Sequence, residues 1–373
     1  MQLSAPVIIV GMGIAGISAA ISCAKRGIDT LCIEAKPNIG GTLIGSNIFS
    51  ICGLYKIDQK YPILNCQSGV KFWLNLLNGM PIKIGRLWVY RLKKSVNVDS
   101  INKILFSFSN IEVKTNTPIQ KAKILRAKVL IDCSSNASLI KLLNRKTLDP
   151  IKTCPGLNVI FKNVDISKLS LGAIDITKKL LSIDSSHSLR FYPQLTIDND
   201  LPATVNLPPC SPELKQDDIN VYYNKATKYL YCVFNYLCRH HKAFKNASIS
   251  KIANYIGFRS NRAIKGLHCL SKDEIINRAK QNGIVCNWPI ELWSSIYGPQ
   301  IIFPDPDGYI IPFGCLFSVG SKPYILAAGL NISATPLAQS SSRVLASCMD
   351  TGYYAGKIAA ELVQKEKFYT ISL

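Results

Sequence analysis

The apolar positions of the chain begin with Val7-Ile8-Ile9-Val10, a short uncharged run of the kind that forms a buried strand. Small, helix-compatible residues follow from Ile17 to Ala24, and Lys25-Arg26-Gly27 closes them with basic residues and a glycine suited to a helix C-terminus. A second strand-like run, Thr30-Leu31-Cys32-Ile33, ends on Glu34. Two similar runs stand far downstream. Val129-Leu130-Ile131-Asp132 passes into the small polar residues Cys133-Ser134-Ser135, and Tyr324-Ile325-Leu326-Ala327 passes into Ala328-Gly329. Ile111 to Ile119 reads as further strand. Near the C-terminus Leu345, Cys348/Met349, Gly352, Ala355/Gly356, Ala359 and Leu362/Val363 recur at helical spacing, which predicts one long helix from about Ser341 to Gln364 with a buried stripe. Buried-type strands alternating with helices predict an α/β fold.

Between the first strand and the first helix lies Gly11-Met12-Gly13-Ile14-Ala15-Gly16. Each glycine of such a turn has a mechanical reason. Gly11 permits the tight turn, Gly13 lets a pyrophosphate approach the backbone, and Gly16 lets helix and strand pack closely. The helix N-terminus then offers N–H groups and partial positive charge to phosphates. Glu34, 18 residues beyond Gly16, stands where a carboxylate accepts hydrogen bonds from the adenosine ribose. Glycines alone at this spacing are weak evidence, since kinase loops share them. Strand, turn, helix, second strand and acidic residue in this order predict a Rossmann-like dinucleotide site.

Composition narrows the class. The 373 residues suggest two or three domains, and 48% hydrophobic content is enough for a large core. Thirteen cysteines without a C-x-x-C and four histidines without a nearby cysteine pair disfavour zinc and disulfides, and predict a reduced, cytoplasmic setting with no metal. Val7 to Ala24 is uncharged for eighteen residues, but no basic stretch precedes it and its glycines serve the turn, so neither a leader nor a membrane span is expected. The net charge of +21 is uneven: residues 71–128 hold 12 Lys+Arg against 2 Asp+Glu, whereas residues 305–373 hold 5 of each. A concentrated positive field suits an acidic macromolecular partner. A nucleic-acid surface would need interleaved exposed aromatics, and Trp88-Val89-Tyr90-Arg91 is the lone hint of one.

After Glu34, Ala35-Lys36-Pro37-Asn38-Ile39-Gly40-Gly41-Thr42 resembles the acidic residue, spacer and paired glycines of the glutathione reductase-like flavoproteins. The alternative is an ordinary glycine turn. Val129 to Ser135 resembles the strand that returns to the nucleotide sheet in that superfamily, with Cys133 and Ser134 departing from its usual Asp-Ala-Thr-Gly. Ala327-Ala328-Gly329, Ile332-Ser333-Ala334-Thr335 and Ser342-Arg343-Val344 are similar to the FAD-dependent oxidoreductase family within it, and Gly257-Phe258-Arg259 with Arg262, Ile264 and Gly266 resembles a family stretch holding several arginines. The resemblance implies FAD held by Gly11, Gly13, Ile14, Ala15, Gly16, Glu34, Ala35, Lys36, Gly40, Gly41 and Thr42, by the backbone near Ile119 and Cys133, and by Gly329, Asn331 and Ser333. It also implies an FAD-binding domain of residues 1–60, 110–150 and 305–373. A mixed α+β substrate domain, residues 61–109 and 151–304, would be inserted in it. Ser260-Asn261, Pro336 and Phe313-Gly314 depart from the family, so no substrate transfers.

Leu43 and Ile48 occupy the positions where disulfide reductases carry their cysteines, and no second glycine fingerprint supplies a nicotinamide domain. Arg343, near the start of the predicted last helix, is the candidate for holding an anionic group or the flavin edge; the competing reading is a first-turn arginine paired with a carboxylate. Arg259 and Arg262 have two readings, ligand contact or surface helix. The four histidines default to structural roles, and the aromatic stretch from Tyr222 to Tyr236 to core. Three functions stay open. One is an FAD-dependent oxidoreductase on a small molecule. Another is a flavin monooxygenase modifying a side chain of an acidic partner protein, as in maturation of protein-derived quinones. The last is a non-enzymatic flavin or nucleic-acid binder.

Overall fold

The computed structural model describes residues 1–94, 96–169, 186–278, 282–296, 298–320 and 322–372. Five strands, Tyr324–Ala327, Val129–Asp132, Val7–Val10, Thr30–Ile33 and Ile111–Lys114, lie side by side in that spatial order. All four pairings are parallel, with Val7 opposite both Thr30 and Val129. Period-two alternation sends their side chains to two separate cores. Val7, Ile9, Cys32, Val129, Ile131 and Leu326 point to one, and Ile8, Val10, Leu31, Ile33, Leu130 and Ile325 to the other. Both faces are covered, which is why these strands read as continuous apolar runs rather than alternating ones. Each fully buried aliphatic side chain contributes about 1.5–3 kcal/mol.

Ile14–Ala24 and Leu345–Val363 form the layer over the first face. They cross at backbone contact. A Cβ on Gly352 would lie 2.1 Å from the carbonyl oxygen of Ala15, and one on Gly356 2.3 Å from that of Ala19. The short helix Ser68–Leu74 docks on this pair, with Trp73 Nε1 donating to Ser18 Oγ at 2.7 Å. The uncharged stretch from Val7 to Ala24 is therefore strand, turn and an eleven-residue helix. No helix among the described residues is long and apolar enough to cross a membrane.

A second sheet is antiparallel, with Ser188–Phe191, Leu201–Asn206, Gly156–Lys162 and Ser248–Ile252 in spatial order. Leu157, Val159, Phe161, Leu201, Ala203 and Val205 turn to one face and pack against Tyr229, Leu230, Val233 and Leu237 of the helix Gln216–His240. The aromatic stretch is thus partly core: Tyr229 is buried, while Tyr231 is exposed. The intervening residues Asn158, Thr204 and Asn206 turn to the opposite face, toward the loop that follows the paired glycines; there Asn158 Nδ2 donates to the Ser46 carbonyl at 2.9 Å.

Two expectations are corrected. The predicted C-terminal helix does not begin at about Ser341: Ser341 and Ser342 end a first helix, Pro336–Ser342, and the whole apolar stripe lies in a second, Leu345–Val363, with Arg343 and Val344 between them. Thr335 caps the first through its side chain, and the extended backbone of Val344 restarts the second. Spacing alone conceals the break, because the apolar stripe begins only at Leu345. Ile119 also lies outside any strand. The strand ends at Lys114, and Pro118 starts a 3₁₀ turn, Ile119–Lys121, whose buried Ile119 packs beneath the parallel sheet.

Candidate functional site

The glycine turn is held at both ends. Gly11 has φ +93°, and a Cβ there would meet the Cys133 carbonyl oxygen at 2.6 Å, so only glycine fits between the two strands. A Cβ on Gly16 would lie 1.9 Å from the Gly11 carbonyl oxygen. Gly13 differs. The sole atom within 4 Å of a Cβ built on it is the Cα of Gly41, at 4.0 Å, and its φ of −72° is ordinary. Nothing in the protein's own packing requires glycine there. Gly13 is the N-cap of the first helix, and no side chain caps that helix or places an acid in its first turn. The N-terminus is left open to an anion.

Glu34 closes the turn from the second strand. Its Oε2 accepts the Met12 N–H at 2.7 Å and its Oε1 the Lys36 N–H at 2.9 Å. A carboxylate has about four lone-pair sites, so two remain for a ribose. Ala35 and Lys36 are exposed beyond it, and the Lys36 ammonium lies 3.5 Å from the centroid of the Tyr255 ring. Gly40, at φ +99°, donates its N–H to the Met12 carbonyl at 2.7 Å. That bond brings Gly41 and exposed Thr42, the start of the helix Gly41–Gly45, against the glycine turn.

The remaining predicted residues separate. Cys133 is buried behind the turn as a neutral thiol, its pKa pushed well up by burial. Gly329, at φ +79°, would bring a Cβ to 3.0 Å from Ala15 Cβ, and its N–H donates to Thr351 Oγ1 at 3.0 Å. Asn331 Nδ2 donates to the Asp132 carbonyl at 3.2 Å, while its buried Oδ1 has no hydrogen-bond partner. Ser333 Oγ is engaged elsewhere, accepting the Gly266 N–H at 3.0 Å. Open space at Gly13, the uncapped helix and the orphaned Asn331 acceptor fit a dinucleotide lying from the glycine turn toward Gly329.

Beyond Gly329 the structure assembles a cluster of charged and aromatic groups. Cys348 links the two regions: its thiol donates to the Arg343 carbonyl at 3.3 Å, and its sulfur would lie 3.8 Å from a Cβ on Gly329. Arg343 is not in the first turn of a long helix and has no salt-bridge partner among the described residues. Its buried Nε meets no acceptor. Arg259 lies near it, outside any helix, donating through Nη1 to the Cys154 carbonyl and through Nη2 to Asn206 Oδ1 at 3.1 Å. Burial first, and the neighbouring Arg343 charge second, lower the Arg259 pKa to about 10. The Arg259 and Arg190 guanidinium carbons lie 4.2 and 4.8 Å from the Trp293 ring centroid. Arg262 is apart from them, paired with Glu213 and Asp149 at the surface.

Glu291 faces this cluster from the strand Ile290–Ser295. Its two oxygens accept the indole N–H groups of Trp288 and Trp293, both at 2.8 Å. Sequence reading missed Glu291, Trp288, Trp293, Arg190 and Tyr192. A signal was present: two of the chain's four tryptophans flank a single glutamate at positions −3 and +2. Two of the histidines make specific contacts away from the cluster. His268 pairs with Glu274 at 2.6 Å, and His187 stacks on Tyr229 at 5.0 Å. Burial holds Cys52 as a thiol, with its pKa up at about 12.

The sequence profile described as FAD dependent oxidoreductase matches residues 6–74 and 188–371. No curated protein matches the chain. Among solved structures, a geranylgeranyl bacteriochlorophyll reductase-like protein from Thermoplasma acidophilum is 15% identical, with 98% of this chain and 80% of that one covered and a TM-score of 0.46. The flavin-dependent brominase Bmp2 is 14% identical over 98% and 80% of the chains, with a TM-score of 0.45. The p-nitrophenol 4-monooxygenase PnpA from Pseudomonas putida is 9% identical over 98% and 81%, with a TM-score of 0.44.

Proposed function

This chain belongs to the FAD-dependent oxidoreductase family, and we propose that it carries out redox chemistry on a substrate held between its parallel sheet and its antiparallel sheet. The open Gly13 position supports this reading most directly, since the protein's own packing leaves free space there at the uncapped N-terminus of the first helix. We take the nucleotide fold to be glutathione reductase-like. Residues 1–60, 110–150 and 305–373 would form the flavin part, and residues 61–109 with 151–304 the inserted substrate part. The helix Ser68–Leu74 would tie the two together through Trp73.

Bound FAD supplies the two-electron redox chemistry that no side chain provides. Its pyrophosphate would meet the backbone of Gly11, Gly13, Ile14, Ala15 and Gly16, where the helix end favours negative charge. Glu34 would take the adenosine ribose, with Ala35 and Lys36 beside it and the Ile119 backbone near the adenine. Gly40, Gly41, Thr42 and Cys133 would border the central part. Gly329, Asn331 and the Ser333 backbone would border the ring. Antiparallel-sheet residues Asn158, Thr204 and Asn206 would close the cleft and exclude water from it. Thirteen unpaired cysteines fit a reducing compartment such as the cytoplasm.

Reconstitution tests the reading. The purified chain should hold FAD and show the visible absorbance of oxidised flavin. A colourless protein that takes up no FAD overturns it. A second reading, monooxygenation of a side chain on an acidic partner protein, is favoured by the excess of 12 Lys+Arg over 2 Asp+Glu in residues 71–128. Rapid turnover of a free metabolite, with no capture of an acidic partner, removes that second reading.

A further inference from the structure

The cluster beyond Gly329 is a half-buried excess of positive charge. Among the described residues, Glu291 is the carboxylate that faces Arg190, Arg259 and Arg343, and its field raises the pKa of both Arg259 and Arg343. Glu291 is itself anchored by two indole N–H groups, so its oxygens are directed to Trp288 and Trp293 rather than to either guanidinium. Holding two like charges together partly out of water is unfavourable unless a counter-charge is supplied. Cys52, Cys154 and Cys348 do not supply it, because burial keeps each thiol neutral. Arg343 Nε is buried with no acceptor at all.

Flat apolar surface surrounds the charges. Trp293 lies against the Arg259 guanidinium, and Phe49 and Tyr192 meet with ring centroids 5.5 Å apart. Tyr192 is part of the cluster, its pKa raised by burial and lowered again in part by Arg259 and Arg190. A guanidinium presents a planar fork of donors that matches a carboxylate in a bidentate pair. We propose that Arg259 and Arg343 bind the carboxylate of an anionic substrate whose flat, aromatic body lies among Trp293, Tyr192 and Phe49. This deepens the flavin reading, since it names the substrate class of the same cleft. Glu291 acts as a positioning residue that orients the two tryptophans and limits the excess charge.

The test uses the FAD-loaded protein with benzoate, phenylacetate and indole-3-acetate as probes, each against its uncharged amide. Binding is followed by perturbation of the flavin spectrum and, independently, by calorimetry. The acids should bind at least tenfold more tightly than the amides. Arg259→Gln and Arg343→Gln should each weaken the acids by at least tenfold while leaving FAD content and amide binding unchanged. Glu291→Gln provides a second arm that does not depend on those variants folding well. It removes the counter-charge that Glu291 supplies, so the acids should gain affinity relative to the amides, whereas loss of tryptophan positioning alone would weaken acids and amides alike. The proposal is overturned if acids and amides bind alike or not at all. It is also overturned if the arginine variants lose FAD while keeping acid affinity, because the arginines then serve the flavin. If the protein takes up no FAD, the flavin reading fails, but calorimetry on the same chain still decides the anion site.

Discussion

The Glu34 carboxylate accepts the backbone N–H of Met12 at 2.7 Å, tying the end of the second strand to the middle of the glycine turn. The acidic residue therefore shapes the cradle before any ribose reaches it. Glu34→Ala should lower stability by about 1–3 kcal/mol, because two backbone N–H groups lose their acceptor. FAD affinity should fall by at least tenfold. Urea denaturation of the apoprotein and FAD titration measure the two effects separately. Unchanged apoprotein stability would contradict the structural half of the role.

Gly13→Val separates ligand space from packing space. A Cβ at Gly13 meets nothing closer than Gly41 Cα at 4.0 Å, so the apoprotein should unfold within about 1 kcal/mol of wild type. Flavin content should fall to near zero. A variant that keeps its flavin removes Gly13 from the pyrophosphate site.

Gly352→Ala tests the opposite case. Its Cβ would lie 2.1 Å from the Ala15 carbonyl oxygen, and two helix backbones cannot part locally. A loss of about 1–3 kcal/mol is expected from overpacking. Flavin binding should weaken with it, because the same helix Ile14–Ala24 carries the cradle. A stability equal to wild type would show that the helices separate freely.

Asp350 is buried at the crossing of the helices Ser68–Leu74 and Leu345–Val363, where it accepts the N–H groups of Gln67 and Val70. Burial raises its pKa to about 6; the backbone hydrogen bonds and Lys71 only partly oppose this. The folded protein thus binds this proton more tightly than the unfolded chain, whose aspartates titrate near about 3.9. Its contribution is complete below the unfolded pKa and is lost as pH rises through about 6. Relative to Asp350→Asn, wild type should lose up to about 2–3 kcal/mol between acid and neutral pH. Parallel pH dependences for the two proteins would refute the assignment.

Much of the nucleotide half was legible from sequence, because its constraints are local. A glycine between two strands, a glycine facing a phosphate and an apolar run buried on both faces each leave a mark within a few residues. Thr30–Ile33, Val129–Asp132 and the helix Ile14–Ala24 fell where pattern placed them. The helix break at Arg343 was hidden, since a capping threonine and one extended residue barely disturb an apolar stripe. The arginine cluster was hidden more deeply. Arg259, Glu291 and Arg343 come from three separate parts of the chain. Only tertiary packing withdraws them from water together, and desolvation is what turns three surface-type residues into one charged site. The sequence by itself determined the glycine turn, the strands around it and the acidic residue that closes it. The tertiary structure decided what charge its substrate would meet.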